Sequence, residues 1–535
     1  MDKLIIYQIL PRLWGNTEGQ NIPGGSISEN GRGTFADIDA PTLHYLKNEL
    51  GISHVWYTGI LRHATACDTH GCMPSSAQWV KGKAGSPYSI TDYYDVNPYL
   101  ATDPERRMEE FEDLLRRTHE AGLKVIIDFV PNHVARDYGR CSDGSRPVFG
   151  DRDDNTVHWR PENDFFYYPG VALKLPVPGD YEEFPAKASG NSYTPEPSVN
   201  DWYDTVKLNY CDTHTQTWDR MRDILRFWAG KGVDGFRCDM VELVPAEFMA
   251  WLIREVKQDW PELIFIAEVY QKNLYSKYVN EVGFDCLYDK SGLYDTLHDI
   301  LCKQVQDSMA PDEQWQSARR ITWNWQGLGD LQPYMLNFLE NHDEQRLASD
   351  YFAQNGKNAL AALHVSLLLN TAPFMLYFGQ EIGERGMDAE GMSGQDGRTS
   401  IFDWWSPQGL VRLNRHIHGT ADLPAEEREL LQRYGELLRF AAQDPAIHRG
   451  DTYDLCYCNA ASKGFNKDRH FAFLRHFEDE TLLIVSNFSN KAAELELFVP
   501  EHAFEWLSLR QTDRLNIGTP LRVHVDAMDG VIVRL

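Results

Sequence analysis

KVIIDFVPNH, residues 124–133, is the stretch on which the fold turns. Val125, Ile126, Ile127, Phe129 and Val130 make an almost unbroken apolar run, interrupted only by Asp128. A strand with one wet face alternates, whereas a strand apolar on both faces is a parallel strand covered on both sides. The residues before it read as a helix over Pro104–Ala121. Met108, Phe111, Leu114 and Leu115 recur there at helical spacing, and Gly122 stops the helix. A helix feeding a covered strand is one unit of an alternating α/β chain.

Seven more short apolar runs carry the same signature. They are IIYQI (5–9), HVWYTGI (54–60), DGFRCD (234–239), LIFIAEV (263–269), FDCLYD (284–289), YMLNFLE (334–340) and PFMLYFG (373–379). Helical stretches near 215–230 and 245–259 separate two of them. Eight strands with helices between predict a (β/α)8 TIM barrel, an α/β fold. A doubly wound sheet is disfavoured because no glycine-rich fingerprint follows an early strand. The alternation breaks over 135–205, which is rich in Gly, Pro, Asp and aromatics and too long for a loop, so an inserted subdomain is expected after the third strand. Past about 445, HFAFLRHF, TLLIVSNFS and AELELFV predict an antiparallel β-sandwich. The expected organisation is a barrel from 1–134 and 206–444, an insertion at 135–205 and a β domain at 445–535.

Composition narrows the partners. The 535 residues are 42% hydrophobic and 24% charged, as in a soluble globular protein, and carry a net charge of −27. Nucleic acid and anionic membranes are repelled by such a chain, and a neutral ligand fits best. The 15 Trp and 25 Tyr offer flat, polar-tipped surfaces suited to sugars, although most belong in a core. Nine cysteines without framework spacing read as reduced thiols in a cytoplasmic protein. CDTHGC, with Cys67, His70 and Cys72, has no second ligand pair at zinc spacing. The start MDKLIIYQILPRLWG reads as a first strand and not a signal, and no apolar run reaches the ~20 residues of a membrane span. Nothing in the sequence sets an oligomeric state.

In barrel enzymes the C-terminal ends of the strands build the active site. Here they carry Asp128, Asn132 and His133 after strand three, Arg237 and Asp239 at strand four, Glu268 at strand five, and His342 and Asp343 after strand seven. Arg237 and Asp239, two apart, point the same way. Converging carboxylates, histidines and an arginine need chemistry to justify their desolvation. Acetal cleavage uses such a set. A retaining glycosidase places two carboxyl groups about 5–5.5 Å apart, one attacking the anomeric carbon and one donating and then accepting the proton. The attacking carboxylate must stay charged, which Arg237 can favour. The acid needs a raised pKa.

At these residues the chain resembles the α-amylase superfamily of retaining α-glucan enzymes, glycoside hydrolase family 13, including its neopullulanase-like branch. DFVPNH (128–133), GFRCD (235–239), AEV (267–269) and ENHD (340–343) match its motifs in order, with VKLN (206–209) as a looser fifth and PYSITDYYDVNP (87–98) as the segment with a sugar-stacking tyrosine. The resemblance implies Asp239 as nucleophile, Glu268 as general acid/base and Asp343 as the third carboxylate. It implies Tyr88, His133, Arg237 and His342 as substrate-binding residues, with Asp128 buttressing Arg237. No cofactor is required for the chemistry.

The chain also departs from the family. Where many α-amylases carry a Lys-His pair after the nucleophile, it has Glu242 and Leu243, so different leaving-side subsites are expected. A structural calcium ion near Asn132 is possible by family analogy, but Lys207 stands where its acidic ligand would be. Glu29 and Asn30 in SENGRGTF offer a second, weaker ion site or a plain Gly-rich turn. The aromatics of FDWWSP (402–407) line a cleft or pack the barrel, and Arg346 meets a ligand or a surface acid. The expected function is α-1,4 hydrolysis of maltooligosaccharides or starch-like α-glucans. A transglycosidase or exo-acting α-glucosidase or cyclomaltodextrinase would share every catalytic residue. A non-catalytic sugar-binding barrel would be expected to have lost a carboxylate.

Overall fold

The computed structural model describes residues 3–67, 73–142, 144–211, 213–302, 316–392 and 394–535. Eight parallel strands close into a barrel: Ile5–Ile9, His54–Tyr57, Lys124–Phe129, Gly235–Cys238, Ile264–Ala267, Cys286–Tyr288, Met335–Phe338 and Phe374–Tyr377. Each strand pairs with the next along the chain, and Ile5 opposite Phe374 closes the ring. The first, second, fourth, seventh and eighth strands are buried at every position, as strands covered on both faces must be. Most strands stop short of the apolar runs quoted above, because the polar residues at their ends leave the ladder.

The helix expected over 104–121 begins as a single 3-10 turn, Pro104–Arg106, and continues as Arg107–Glu120. Asp103 caps that first turn by accepting the Glu105 N–H at 3.1 Å. Phe111, Leu114 and Leu115 face the barrel, and Phe111 meets Trp228 of the helix Gln216–Gly230 edge-on at 5.6 Å.

The long segment after the third strand is tied off at its neck. His133–Ala135 pairs antiparallel with Thr205–Lys207, so the intervening residues leave and rejoin the barrel at one place. Inside it, Tyr167–Tyr168 pairs with Ala186–Lys187, and the buried Arg136 holds Glu183 at 3.1 Å. A second excursion has no counterpart in the sequence reading. Leu61–His63 pairs antiparallel with Ile90–Val96, between the second strand and the helix that follows. Register shifts at both steps of the short strand blur the alternation that would have revealed it.

The C-terminal region has a four-stranded antiparallel sheet in the order Asp451–Asp454, His470–Phe477, Glu480–Asn487 and Gly530–Arg534. A two-stranded sheet, Ala493–Leu497 with Leu521–Val525, accompanies it. Glu480–Asn487 packs on the barrel helix Leu360–Leu368. That helix is buried at every residue, because the sheet covers the side that would otherwise face water.

One expectation changes here, and one open alternative closes. Cys141 is disulfide-bonded, so the cysteines are not all reduced, while Cys238, Cys286, Cys302, Cys456 and Cys458 are free thiols. The chain folding that brings a cysteine to its partner leaves no trace in spacing. Glu29 and Asn30 are consumed by their own turn. Glu29 accepts from Ser26 in a capping box, and Asn30 bonds Ile22 on both sides of its amide and the Trp404 carbonyl. His70 and Cys72 lie outside the described residues. Among the described residues, no helix is long and apolar enough to cross a membrane.

Candidate active site

The carboxylates sit on the last rungs of the barrel ladder. The Asp239 N–H donates to the Phe129 carbonyl at 2.8 Å, and the Glu268 N–H to the Cys238 carbonyl at 3.2 Å. Alternation turns Cys238 into the core, fully buried, and sends Arg237 and Asp239 to the other side. Met240 then adopts the left-handed region, with φ 44° and ψ 46°. Its N–H donates to Glu268 Oε2 at 2.9 Å. A non-glycine residue held at positive φ costs of order 1–3 kcal/mol and persists only where surrounding contacts demand it. Here the strained turn places an amide donor on the carboxyl of the neighbouring strand.

Arg237 is fully buried and clamps two acids at once. Nη1 donates to Asp239 Oδ1 at 2.6 Å, and Nη2 lies 2.8 Å from Glu268 Oε2. The guanidinium also lies 5.6, 5.3 and 5.6 Å from the ring centres of Trp56, Tyr88 and Tyr288, an aromatic cage that offsets some of its lost hydration. Arg237, expected to keep Asp239 charged, thus serves Glu268 as well. Asp128 makes its hydrogen bonds elsewhere, accepting the Gly59 N–H at 3.1 Å and the Tyr88 hydroxyl at 3.3 Å.

Burial raises the pKa of Asp239, and Arg237 opposes this without cancelling it, since Asp343 and Asp128 add like charge. Burial likewise raises Glu268; Arg237 opposes, and Asp239 and Asp343 push further up. Asp343 differs. Burial pushes it up as well, but His342, then Arg237 and Arg398, outweigh that and hold it down at about 2. Its side chain is 41% exposed, and water supports its charge too. One carboxyl is set apart as the permanent anion, and two share the field of one guanidinium.

His342 is placed from three sides. The Gln8 amide nitrogen lies 2.8 Å from Nδ1. Nε2 lies 2.6 Å from the Tyr88 hydroxyl and 3.1 Å from Asp343 Oδ2. The Tyr88 ring stacks on His342 at 5.3 Å and 28°. His133 is kept neutral: burial, then the nearby Lys207 and Lys81, drag its pKa to about 3 against the pull of Asp204.

A cavity of about 330 Å³ receives Tyr88, His133, Asp239, Glu268 and Asp343 together. Arg237 and His342 touch those residues from behind. Sequence reasoning missed other lining residues, among them Trp202, Asp204, Lys81 and Tyr270. Trp202 and Asp204 come from the end of the insertion, where Trp202 packs against His133 at 5.2 Å. The Tyr270 hydroxyl donates to Glu268 Oε1 at 2.5 Å, and its position two residues after Glu268 on an extended segment was the available clue. FDWWSP divides: Phe402 lines the cavity, while Trp404 and Trp405 are core. Arg346 meets neither ligand nor surface. It is wholly buried, paired with Glu340 at 3.0 Å and bonded to Thr399 and the Phe378 carbonyl. Glu242 accepts the Gln271 N–H at 2.9 Å.

Where family analogy made a calcium ion possible, the structure places the side-chain nitrogen of Lys207, whose pKa burial lowers to about 7. Lys207 donates to Asn132 Oδ1 and, at 2.8 Å, to the Leu243 carbonyl. In its charged form Lys207 competes with a divalent cation for the same oxygens. Lys207→Met should leave the buried Asn132 Oδ1 without this donor, costing about 1–3 kcal/mol, read as a fall in Tm. The Tm of the unaltered protein should be the same in calcium and in chelator; a higher Tm in calcium would contradict the assignment.

Comparison with known proteins agrees with this geometry. The family model for the alpha-amylase catalytic domain matches residues 8–404. Alpha-amylase 3 of Dictyoglomus thermophilum is 23% identical, over 90% of this chain and 84% of its own. A cyclomaltodextrinase of Geobacillus thermopakistaniensis is 23% identical, over 94% of this chain and 71% of its own. The solved structure of cyclic alpha-maltosyl-(1→6)-maltose hydrolase from Arthrobacter globiformis shares the fold with a TM-score of 0.65 at 16% identity, covering 100% of this chain and 98% of that one. With the family model spanning the whole barrel and its loaded strand ends, the chain belongs to the α-amylase family of glycoside hydrolases.

Proposed function

We propose that the enzyme hydrolyses α-1,4-glucosidic bonds of maltooligosaccharides and related α-glucans by retaining double displacement. The observation that carries this reading is the single buried guanidinium touching both Asp239 and Glu268 at the mouth of a cavity that also holds Asp343. Asp239 attacks the anomeric carbon as Glu268 gives its proton to the departing glycosidic oxygen. The ester that forms on Asp239 is then broken by water, whose proton returns to Glu268. The three carboxyls titrate as a set in which Asp343 is held ionised, and the proton the set retains must sit on Glu268. Asp343 and His133 grip sugar hydroxyls, His342 holds Asp343 from behind, and Tyr88 offers a ring face. The α-amylase and cyclomaltodextrinase names of the relatives support an α-glucan substrate.

The test is the product time course from maltoheptaose, with the anomeric form of the first product followed by NMR. Shorter oligosaccharides released in the α form are expected. A β-anomer first would exclude double displacement. Tyr270→Phe gives a finer check. It removes a hydrogen bond that favours the ionised form of Glu268. The Glu268 pKa should rise, so the basic limb of the kcat/KM profile should move to higher pH; an unmoved limb would show that Tyr270 does not act on the acid.

A further inference from the structure

Large aromatics left in water are informative when they gather, because each forfeits burial worth about 1.5–3 kcal/mol. Trp506 is 67% exposed and Tyr457 62% exposed, and both line one groove of about 800 Å³ on the far side of the molecule from the chemistry. The local sequence explains their exposure. In the helix Glu501–Leu507, Ala503, Phe504 and Leu507 turn into the core, which sends His502 and Trp506, four apart, to the opposite face. The two rings stack at 6.4 Å and 24°. Tyr453, from the strand Asp451–Asp454, continues the row at 5.9 Å from His502, and Tyr457 extends it at 6.3 Å from Tyr453. The Tyr453 hydroxyl ties the row together, 2.5 Å from the Tyr457 hydroxyl and 3.0 Å from His502 Nδ1. The platform is therefore already ordered before anything binds, which lowers the entropic cost of binding.

The groove's other wall is polar. Exposed Asp330 and Asp451 rim it, with Gln332 and the buried Asn370. Ring faces for C–H surfaces beside carboxylates and amides for hydroxyls match a neutral polyol. Arg449 and Arg475 also line the groove and offset those acids, so it is the net charge of −27 that disfavours anionic ligands. The groove also lies at the opposite barrel end from the catalytic cavity. Asp330–Pro333 precede the seventh strand and Asn370–Thr371 precede the eighth, whereas Asp239, Glu268 and Asp343 follow their strands.

We propose that this groove is a second α-glucan site, which holds a polymeric chain away from the cavity that cuts it. The substrate class rests on the function proposed above. The test uses Asp239→Asn protein, which stops turnover, in affinity electrophoresis through amylopectin. Adding Trp506→Ala and Tyr457→Ala should weaken retention about tenfold, at 0.5–1.5 kcal/mol or about two- to tenfold per ring, while Trp506→Phe should keep it. With Asp239 intact, the same double variant should cleave maltotriose with unchanged kcat/KM, because the groove plays no part in cleaving a short chain. Unchanged retention in amylopectin would overturn the proposal. So would a shift from dimer to monomer in sedimentation with retention unaltered, which would make the patch an interface between copies. Retention that depends on the two aromatics in a protein that cleaves no α-glucan would uphold the groove and remove the catalytic reading instead.

Discussion

Asp239→Asn is expected to reduce turnover of maltoheptaose by about 10⁴-fold or more, with sugar binding retained, because a covalent route fails without its nucleophile. The amide keeps the shape and can still lie against Arg237, which contacts Asp239 at 2.6 Å. It cannot form the ester at the anomeric carbon. Azide makes the role testable. In Asp239→Ala, azide entering the vacated face of an α-glucosyl fluoride should yield the β-glucosyl azide, since one displacement now replaces two. An α-azide, or turnover within about tenfold of the unaltered protein, would remove Asp239 from the nucleophile's place.

Glu268→Gln should cost about 10²–10⁴-fold on maltooligosaccharides, whose leaving oxygen needs a proton. On α-glucosyl fluoride the first step should be nearly spared, because fluoride leaves without protonation, and the glucosyl-enzyme should accumulate as a burst. With Glu268→Ala, azide should intercept that intermediate and give the α-azide, the opposite anomer from the nucleophile variant. Equal damage on both substrates would argue against Glu268 as the acid. The pH profile follows from the same two groups. Activity should fall at low pH as Asp239 takes a proton and at high pH as Glu268 loses one. Both limbs should lie above the ordinary carboxylate range, since burial raises both groups. In Glu268→Gln the basic limb should vanish.

Much of this site was legible as sequence. Arg237 and Asp239 share a face because strands alternate, and Glu268, His342 and Asp343 declare themselves by standing where apolar strands end. Cys238 was readable as core for the same reason. Other features were hidden because they depend on segments far apart in the chain. Gln8 orients His342 across 334 positions, and the Tyr88 hydroxyl reaches His342 across 254. Trp202 and Asp204 reach the cavity only because the neck pairing of His133–Ala135 with Thr205–Lys207 brings the insertion's end back to its beginning. Arg346, which its place after ENHD left open between a ligand and a surface acid, is instead buried with Glu340.

The sequence by itself determined the barrel, its eight strands and the residues at their ends, because periodicity and strand-end polarity are local properties that survive any arrangement of the rest. Tertiary structure alone decided that one guanidinium serves two carboxyls, that Met240 turns its amide onto Glu268, and that the Lys207 nitrogen sits on Asn132. It also decided that Tyr453, Tyr457, His502 and Trp506 form one row. Each is a matter of distance between elements, and burial and charge coupling follow distance in space and not separation along the chain.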